Sequence, residues 1–318
     1  MKRLNILLLF SLVLVYLSGC GDSGNNPVKC KNDLPSTLTE LYDCEPRMSD
    51  CYEGILKQSE KDLVLNRLNQ IRALHGLSAV AYNSSDDKYA QKSALITAAN
   101  EVMNHYPDST DKCYSADGKK GCSDGNLWIG YANVVHVWKS DNMINDWLID
   151  KDVLSLGHRR WLLNPFMKTV AFGRVDKINT NGYHWTASTI KVIPTSGNFD
   201  AITTAVNYVA YPEGDYPESA FETNWFLSFS VLADVNYFNK NSQVNFDSTN
   251  IQVTNESSVS MPVNSISRDN VGYGLPNNIQ WKVTGLQPDV KYTIKIINVK
   301  VKGVRKDYQY WFRVNSIS

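Results

Sequence analysis

The period of the hydrophobic pattern changes near residue 197, and that change sets what the chain can fold into. From Asn198 onward, apolar and polar residues alternate in short runs at 206–211, 225–232, 243–246, 251–254, 279–284, 292–301 and 308–314, separated by clusters of Asn, Asp, Gly and Pro. A period of two sends successive side chains to opposite faces of a strand, so about seven such runs predict an antiparallel β-sandwich of immunoglobulin-like type. Before residue 197 the pattern is first helical. Val64, Leu68, Ile71 and Leu74 share one face of a helix over 59–75, opened by a capping-box-like Ser59 and Asp62 and closed by Gly76. A second helix is expected over 85–104 and a third over 141–149, followed by strands at 169–175 and 184–192 flanking the turn-like Asn179-Thr180-Asn181-Gly182.

The amino terminus reads as a targeting segment. Lys2 and Arg3 precede an apolar run over 4–17 that is too short to span a membrane in the ordinary way, and it ends in Leu17-Ser18-Gly19-Cys20, which resembles the bacterial lipobox. Cleavage before Cys20 and lipid on its thiol would anchor the chain to a membrane outside the cytoplasm, with the outer membrane or the cell surface favoured. Residues 1–19 are then the signal peptide and 20–53 a lipidated cysteine with its tether, rich at its start in Gly, Asn, Pro and Asp. Cysteines suit an oxidising compartment. Cys113 and Cys122 bracket a polar, glycine-containing stretch and are expected to form a disulfide, and Cys51 is expected to pair with Cys44 or Cys30. The chain has 32 basic and 32 acidic side chains and no basic stripe, which argues against a nucleic-acid partner.

Five short motifs in the middle region carry a family resemblance. They are Asn69-x-x-Arg72-x-x-x-Gly76-Leu77, His105-x-Pro107, Gly125-Asn126-Leu127, Trp147-x-x-Asp150, and Gly157-His158-Arg159-Arg160-Trp161-Leu162-Leu163-Asn164-Pro165. In this order they resemble the CAP superfamily of cysteine-rich secretory, antigen 5 and pathogenesis-related 1 proteins, in its bacterial SCP-like branch. The resemblance implies an α-β-α sandwich with an open cleft where two histidines and nearby carboxylates can take up zinc. The fold class expected is therefore α+β, a CAP-like domain over 54–197 followed by the all-β immunoglobulin-like sandwich over 198–318.

Carried over position by position, the cleft histidines are His105 and His158. The family's Glu before Asn126 is replaced by Gly125, and the Glu of the third-helix motif by Asp150. His105, His158 and Asp150 are then candidate zinc ligands, with Glu101 a further candidate because it precedes His105 by four residues, one helical turn. Asn126 and Arg159 are expected beside the cleft, Arg159 either holding an anionic ligand or pairing with Asp146, Asp150 or Asp152. Trp161, Leu162 and Leu163 read as a core strand or turn beneath the site. His75 is expected to favour its helix C-terminus, and His136 and His184 to lie on the surface or in a strand.

Two function classes follow. One is an envelope-anchored protein that binds a small lipid, peptide or glycan, or an envelope or host protein, through the His-lined cleft. The other is a hydrolase in which the same residues hold a zinc-bound water or act as an acid-base pair. Ser155 is the nearest serine to His158, but its surroundings do not resemble a nucleophile elbow.

Overall fold

Val64, Leu68 and Ile71 lie buried along one side of a helix, as their spacing requires, in the computed structural model, which describes residue 30 and residues 33–316. The signal segment, Cys20 and the start of the tether lie outside the described residues. Among the described residues, no helix is long and apolar enough to cross a membrane.

The elements of the first half are α1 (Ser36–Thr39), β1 (Tyr42–Cys44), β2 (Ile55–Leu56), α2 (Gln58–Leu74), β3 (Ala81–Tyr82), α3 (Asp87–Asn100), α4 (Ala116–Asp124), β4 (Gly125–Ala132), α5 (Asn142–Ile149), α6 (Gly157–Leu162), β5 (Thr169–Ile178) and β6 (His184–Lys191). One sheet, ordered β3-β5-β6-β4, separates two helical layers. The pleat decides which side chains meet which layer. Val175 and Ala187 face α3, joining Ala94, Leu95 and Ala98, while Phe172 and Ile190 face the other way into a core with Val64, Leu68, Met143 and Trp147. At Gly173 the backbone of α3 comes so close that a Cβ would stand 2.4 Å from Ala90 C and Gln91 N, so only glycine admits this packing.

The second half is the expected sandwich. It contains β7 (Tyr208–Tyr211), β8 (Gly214–Pro217), β9 (Leu227–Val231), β10 (Val244–Asn245), β11 (Asn250–Asn255), β12 (Val263–Asp269), β13 (Asn278–Val283), β14 (Lys291–Val301) and β15 (Val304–Asn315). One sheet is β12-β13-β9-β7, and the other is β10-β14-β15-β8 with β11 also on β14. It is not wholly antiparallel, because β8 runs parallel to β15. Buried residues of both halves share one apolar core.

Several expectations need correction. Ser59 does not cap α2; Lys57 precedes the helix and makes no side-chain cap. The second helix stops at Asn100 because Glu101 turns left-handed, with φ 56°. The segment from Gly157 to Leu162 is a helix, not a strand or turn. Residues 33–53 are more than a tether: β1 pairs with β2, and the buried Tyr42 hydroxyl donates to Asp176 Oδ2 at 2.5 Å.

The cysteine pairing also differs. Cys51 is bonded to Cys113, and Cys30 and Cys44 are disulfide-bonded as well, while Cys122 is a free, buried thiol. Ser115 Oγ accepts from Gly118 N–H at 3.0 Å and starts α4, so the stretch read as a loop is helical. The helix carries Cys122 inward, its Sγ 3.1 Å from Ser93 Oγ, and burial pushes the thiol up to about 11.

Candidate functional site

The two motif histidines meet in space. His105 lies in the segment after α3, and His158 in the first turn of α6; their ring centroids are 6.4 Å apart with the planes tilted by 32°. Each ring is held through Nδ1. His105 Nδ1 lies 2.7 Å from the Cys122 carbonyl, and His158 Nδ1 lies 2.7 Å from Asp150 Oδ1. A carbonyl or carboxylate oxygen only accepts, so Nδ1 carries the proton in both rings, and in the neutral imidazole it is Nε2 that keeps the lone pair. Among the described residues, neither Nε2 has a hydrogen-bond partner.

Asp150 is made for this positioning task. It closes α5 in a left-handed conformation, is 2% exposed, and its Oδ2 accepts from the His158 backbone N–H at 3.0 Å. Asn126, also buried, donates from Nδ2 to the His158 carbonyl at 3.0 Å and fixes the same turn from β4.

The imidazoles line a cleft of about 440 Å³ with Tyr106, Asn126, Trp161 and Tyr273. Tyr273 comes from the sandwich, on the connection between β12 and β13. Arg160 pins that connection: Nη1 donates to both Asp269 carboxylate oxygens at 3.0 Å, and Nη2 to the carbonyls of Val271 at 2.6 Å and Leu275 at 3.2 Å. At Gly274, with φ +62°, a Cβ would lie 2.0 Å from Arg160 O, so the connection closes on α6 only with glycine there. The cleft is therefore a composite of both halves. Sequence reasoning missed Tyr273; its signal was the aromatic ring between Gly272 and Gly274.

The other candidates fall outside a ligand set. Asp150 supports His158 instead of facing the cleft with free oxygens, a correction to its reading as a metal ligand. Glu101 is not on the same helical face as His105, because α3 has already ended; its carboxylate pairs with Lys177 Nζ at 2.7 Å. Gly125 has no room for the missing carboxylate, since a Cβ there would stand 2.6 Å from Thr189 Cγ2 and 2.8 Å from Gly121 O.

Arg159 is not a cleft residue. It is 1% exposed, and its guanidinium donates to the carbonyls of Leu148 at 2.6 Å, Phe226 at 2.8 Å and Ile149 at 2.8 Å, and to Ser228 Oγ at 3.2 Å. It also lies over the Tyr211 ring at 3.8 Å, and burial lowers its pKa.

The remaining histidines are apart from the cleft. His75 is buried with Nε2 3.2 Å from Tyr216 Oη, and burial, followed by the charges of Arg72 and Arg159, brings it down to about 3. It is neutral and gives the helix end no positive charge. His184 belongs to a buried network in which its Nε2 donates to Asp176 at 3.0 Å and its Nδ1 accepts from the His136 backbone. Arg174 also binds Asp176, holding that carboxyl well below the usual range despite the opposing effect of burial.

The arrangement sets two imidazole Nε2 atoms side by side under aromatic walls, acceptors in the neutral form of each ring. A zinc ion would find the tautomers it needs, but among the described residues no three His, Cys, Asp or Glu side chains converge, and zinc usually takes four ligands. The donor set does not fit a resident zinc ion. Nor does Ser155, which lines the cleft, bond to either imidazole.

Comparison with known proteins agrees with the motif order. Residues 65–188 match the Cysteine-rich secretory protein family, CAP. A solved structure of an outer surface protein from Borrelia burgdorferi aligns at 14% identity and a TM-score of 0.27, over 42% of this chain and 92% of that one. No curated protein matches the chain. With two helical layers around one sheet and paired imidazoles at its cleft, the region over residues 65–188 is a CAP domain of the cysteine-rich secretory protein family.

Proposed function

We propose that the chain is a binding protein of the bacterial cell envelope, held to a membrane by lipid on Cys20, whose composite cleft takes a small ligand of the lipid, peptide or glycan class. The observation that carries this reading is the pair of imidazoles with both Nδ1 atoms anchored and, among the described residues, both Nε2 atoms unpartnered. Such a pair accepts hydrogen bonds from a ligand's hydroxyl or amide groups, while Tyr106, Trp161 and Tyr273 pack on its apolar faces. The chemistry requires no metal, and two imidazoles alone hold one weakly.

The test is titration of the full chain with short-chain phosphatidylglycerol, peptidoglycan-derived disaccharide peptides and chitooligosaccharides, followed by Trp fluorescence. One class is expected to bind, with affinity about tenfold lower in His158→Ala and in Tyr273→Ala, a step worth roughly 1.4 kcal/mol. Equal affinity in both variants, or no binding by any class, would overturn the reading.

A second reading, an acid-base hydrolase, draws on the buried Asp150 behind His158, which orients Nε2 as a general base requires. Turnover of any bound ester or amide, abolished by His158→Ala with binding retained in His105→Ala, would favour it.

A further inference from the structure

Beside the cleft runs a second groove of about 330 Å³, and three consecutive residues of β4, Leu127, Trp128 and Ile129, all line it. Successive strand residues point to opposite faces, so a groove that all three line lies along the edge of the strand, not over a face of the sheet. β4 is the last strand of its sheet. Met103, 49% exposed, and Trp147 and Ile149 of α5 line it as well, together with the charged Asp146, Lys151 and Glu222.

The direction of the edge's backbone groups follows from the far side of the same sheet. There the outward N–H groups of Phe172, Arg174 and Asp176 are satisfied by Tyr82 Oη at 3.1 Å, Gln91 Oε1 at 3.0 Å and Tyr42 Oη at 3.0 Å. These three residues therefore turn away from β6, and Ala171, Gly173, Val175 and Lys177 bond to it. Alternation then gives His184, Thr186, Ser188 and Ile190 of β6 to β4, where their partners are Ala132, Gly130, Trp128 and Asn126. Leu127, Ile129 and Tyr131 must direct their N–H and C=O groups outward. The Leu127 carbonyl does so, accepting from Trp147 Nε1 at 2.9 Å. Among the described residues nothing else bonds to the outward groups of Ile129 and Tyr131.

One edge of the sheet is thus sealed by side chains, while among the described residues the other is left open inside a groove whose lining is part apolar and part charged. We infer that this edge binds an extended peptide segment, which adds to β4 as a further strand with alternate apolar side chains against Met103, Ile129 and Trp147. Unpaired groups spaced two residues apart, at about 6.8 Å, match another strand's backbone. An acyl chain would cover the same groups without satisfying them, at a cost that excludes it. The groove shares Val153 and His158 with the cleft, yet the inference does not depend on the cleft's taking a ligand.

The experiment is an array of immobilised octapeptides probed with the full chain, each peptide repeated with its backbone N-methylated at alternate residues. Binders are expected whose signal falls about tenfold on N-methylation in one of the two registers, and equally in Ile129→Pro. In the backbone, proline there removes the outward N–H alone, which the ladder to β6 does not use, and edge positions tolerate it. The Ile129 side chain is lost with it, so Ile129→Ala, which keeps the N–H, is the control. The expected binders should keep their affinity in His105→Ala, which separates this groove from the cleft. No binders, or binders indifferent to N-methylation in both registers, would overturn the inference, and the N-methylated arm decides the matter even where the proline variant fails to fold.

Discussion

Replacing Arg159 with alanine should cost more stability than any exposed substitution in the chain. The guanidinium ties the last carbonyls of α5, at Leu148 and Ile149, to Phe226 and Ser228 of the sandwich. Hydrogen bonds from a charged donor contribute about 1.5–3 kcal/mol each, which summed over these contacts would be too much, because burying the cation itself costs several kcal/mol. Truncation leaves three buried carbonyls without a donor, at roughly 1–3 kcal/mol each, and water entering the vacated space offsets part of that. A net loss of about 4 kcal/mol results, or a fall in Tm of roughly 6 °C for a chain of 318 residues unfolding as one unit. Differential scanning calorimetry of the full chain and of Arg159→Ala measures it directly. Arg159→Lys should recover only a small part, since one ammonium cannot reach acceptors on both halves. A loss below about 1 kcal/mol in the alanine variant would refute the reasoning and mean that the carbonyls find other donors.

Breaking the Cys51–Cys113 bond by Cys51→Ser should destabilise the chain by about 4 kcal/mol, because it frees a loop of 62 residues, whereas Cys122→Ala should leave the denaturant midpoint nearly unchanged. His75 is neutral when folded and protonated when unfolded between pH about 3 and the ordinary histidine value near 6.5. Its contribution is therefore complete above about pH 6.5 and is lost as the pH falls toward 3, at up to about 1.4 kcal/mol per pH unit. Chemical denaturation of His75→Phe across that window should show a slope shallower by one proton. Calorimetric titration with zinc should give a Kd no tighter than about 1 µM, since two ligands supply about half of the roughly 10–16 kcal/mol of a complete set; a nanomolar site lost in both His105→Ala and His158→Ala would show that donors converge after all.

Much of the fold was legible because burial on one face writes a period into the sequence. The sandwich runs were visible wherever strands alternate, as in β14 with its buried Tyr292, Ile294 and Ile296. β12 was not, because most of its residues are exposed on both faces and carry no alternation. β4 was missed because Gly125 to Ala132 mixes glycine with aromatics on an edge strand. In the site, residue identity located both imidazoles and Asp150, but identity does not reveal direction. Asp150 was legible as a charge near His158, and only the left-handed end of α5 makes it a support in place of a ligand. Tyr273 could not be placed at all from local pattern, since it reaches the cleft through the docking of Gly274 on Arg160.

The most direct test of the cleft is the protonation of its ring nitrogens, read by long-range ¹H–¹⁵N correlation on imidazole-labelled protein at about pH 8, above the ordinary histidine range. Both His105 and His158 are expected to show a protonated Nδ1 and an unprotonated Nε2, with Asp150→Asn, whose amide can donate to Nδ1, free to reverse the order in His158 alone. An unprotonated Nδ1 in the unsubstituted chain would contradict the account, since the imidazoles would then offer the cleft donors where it requires acceptors.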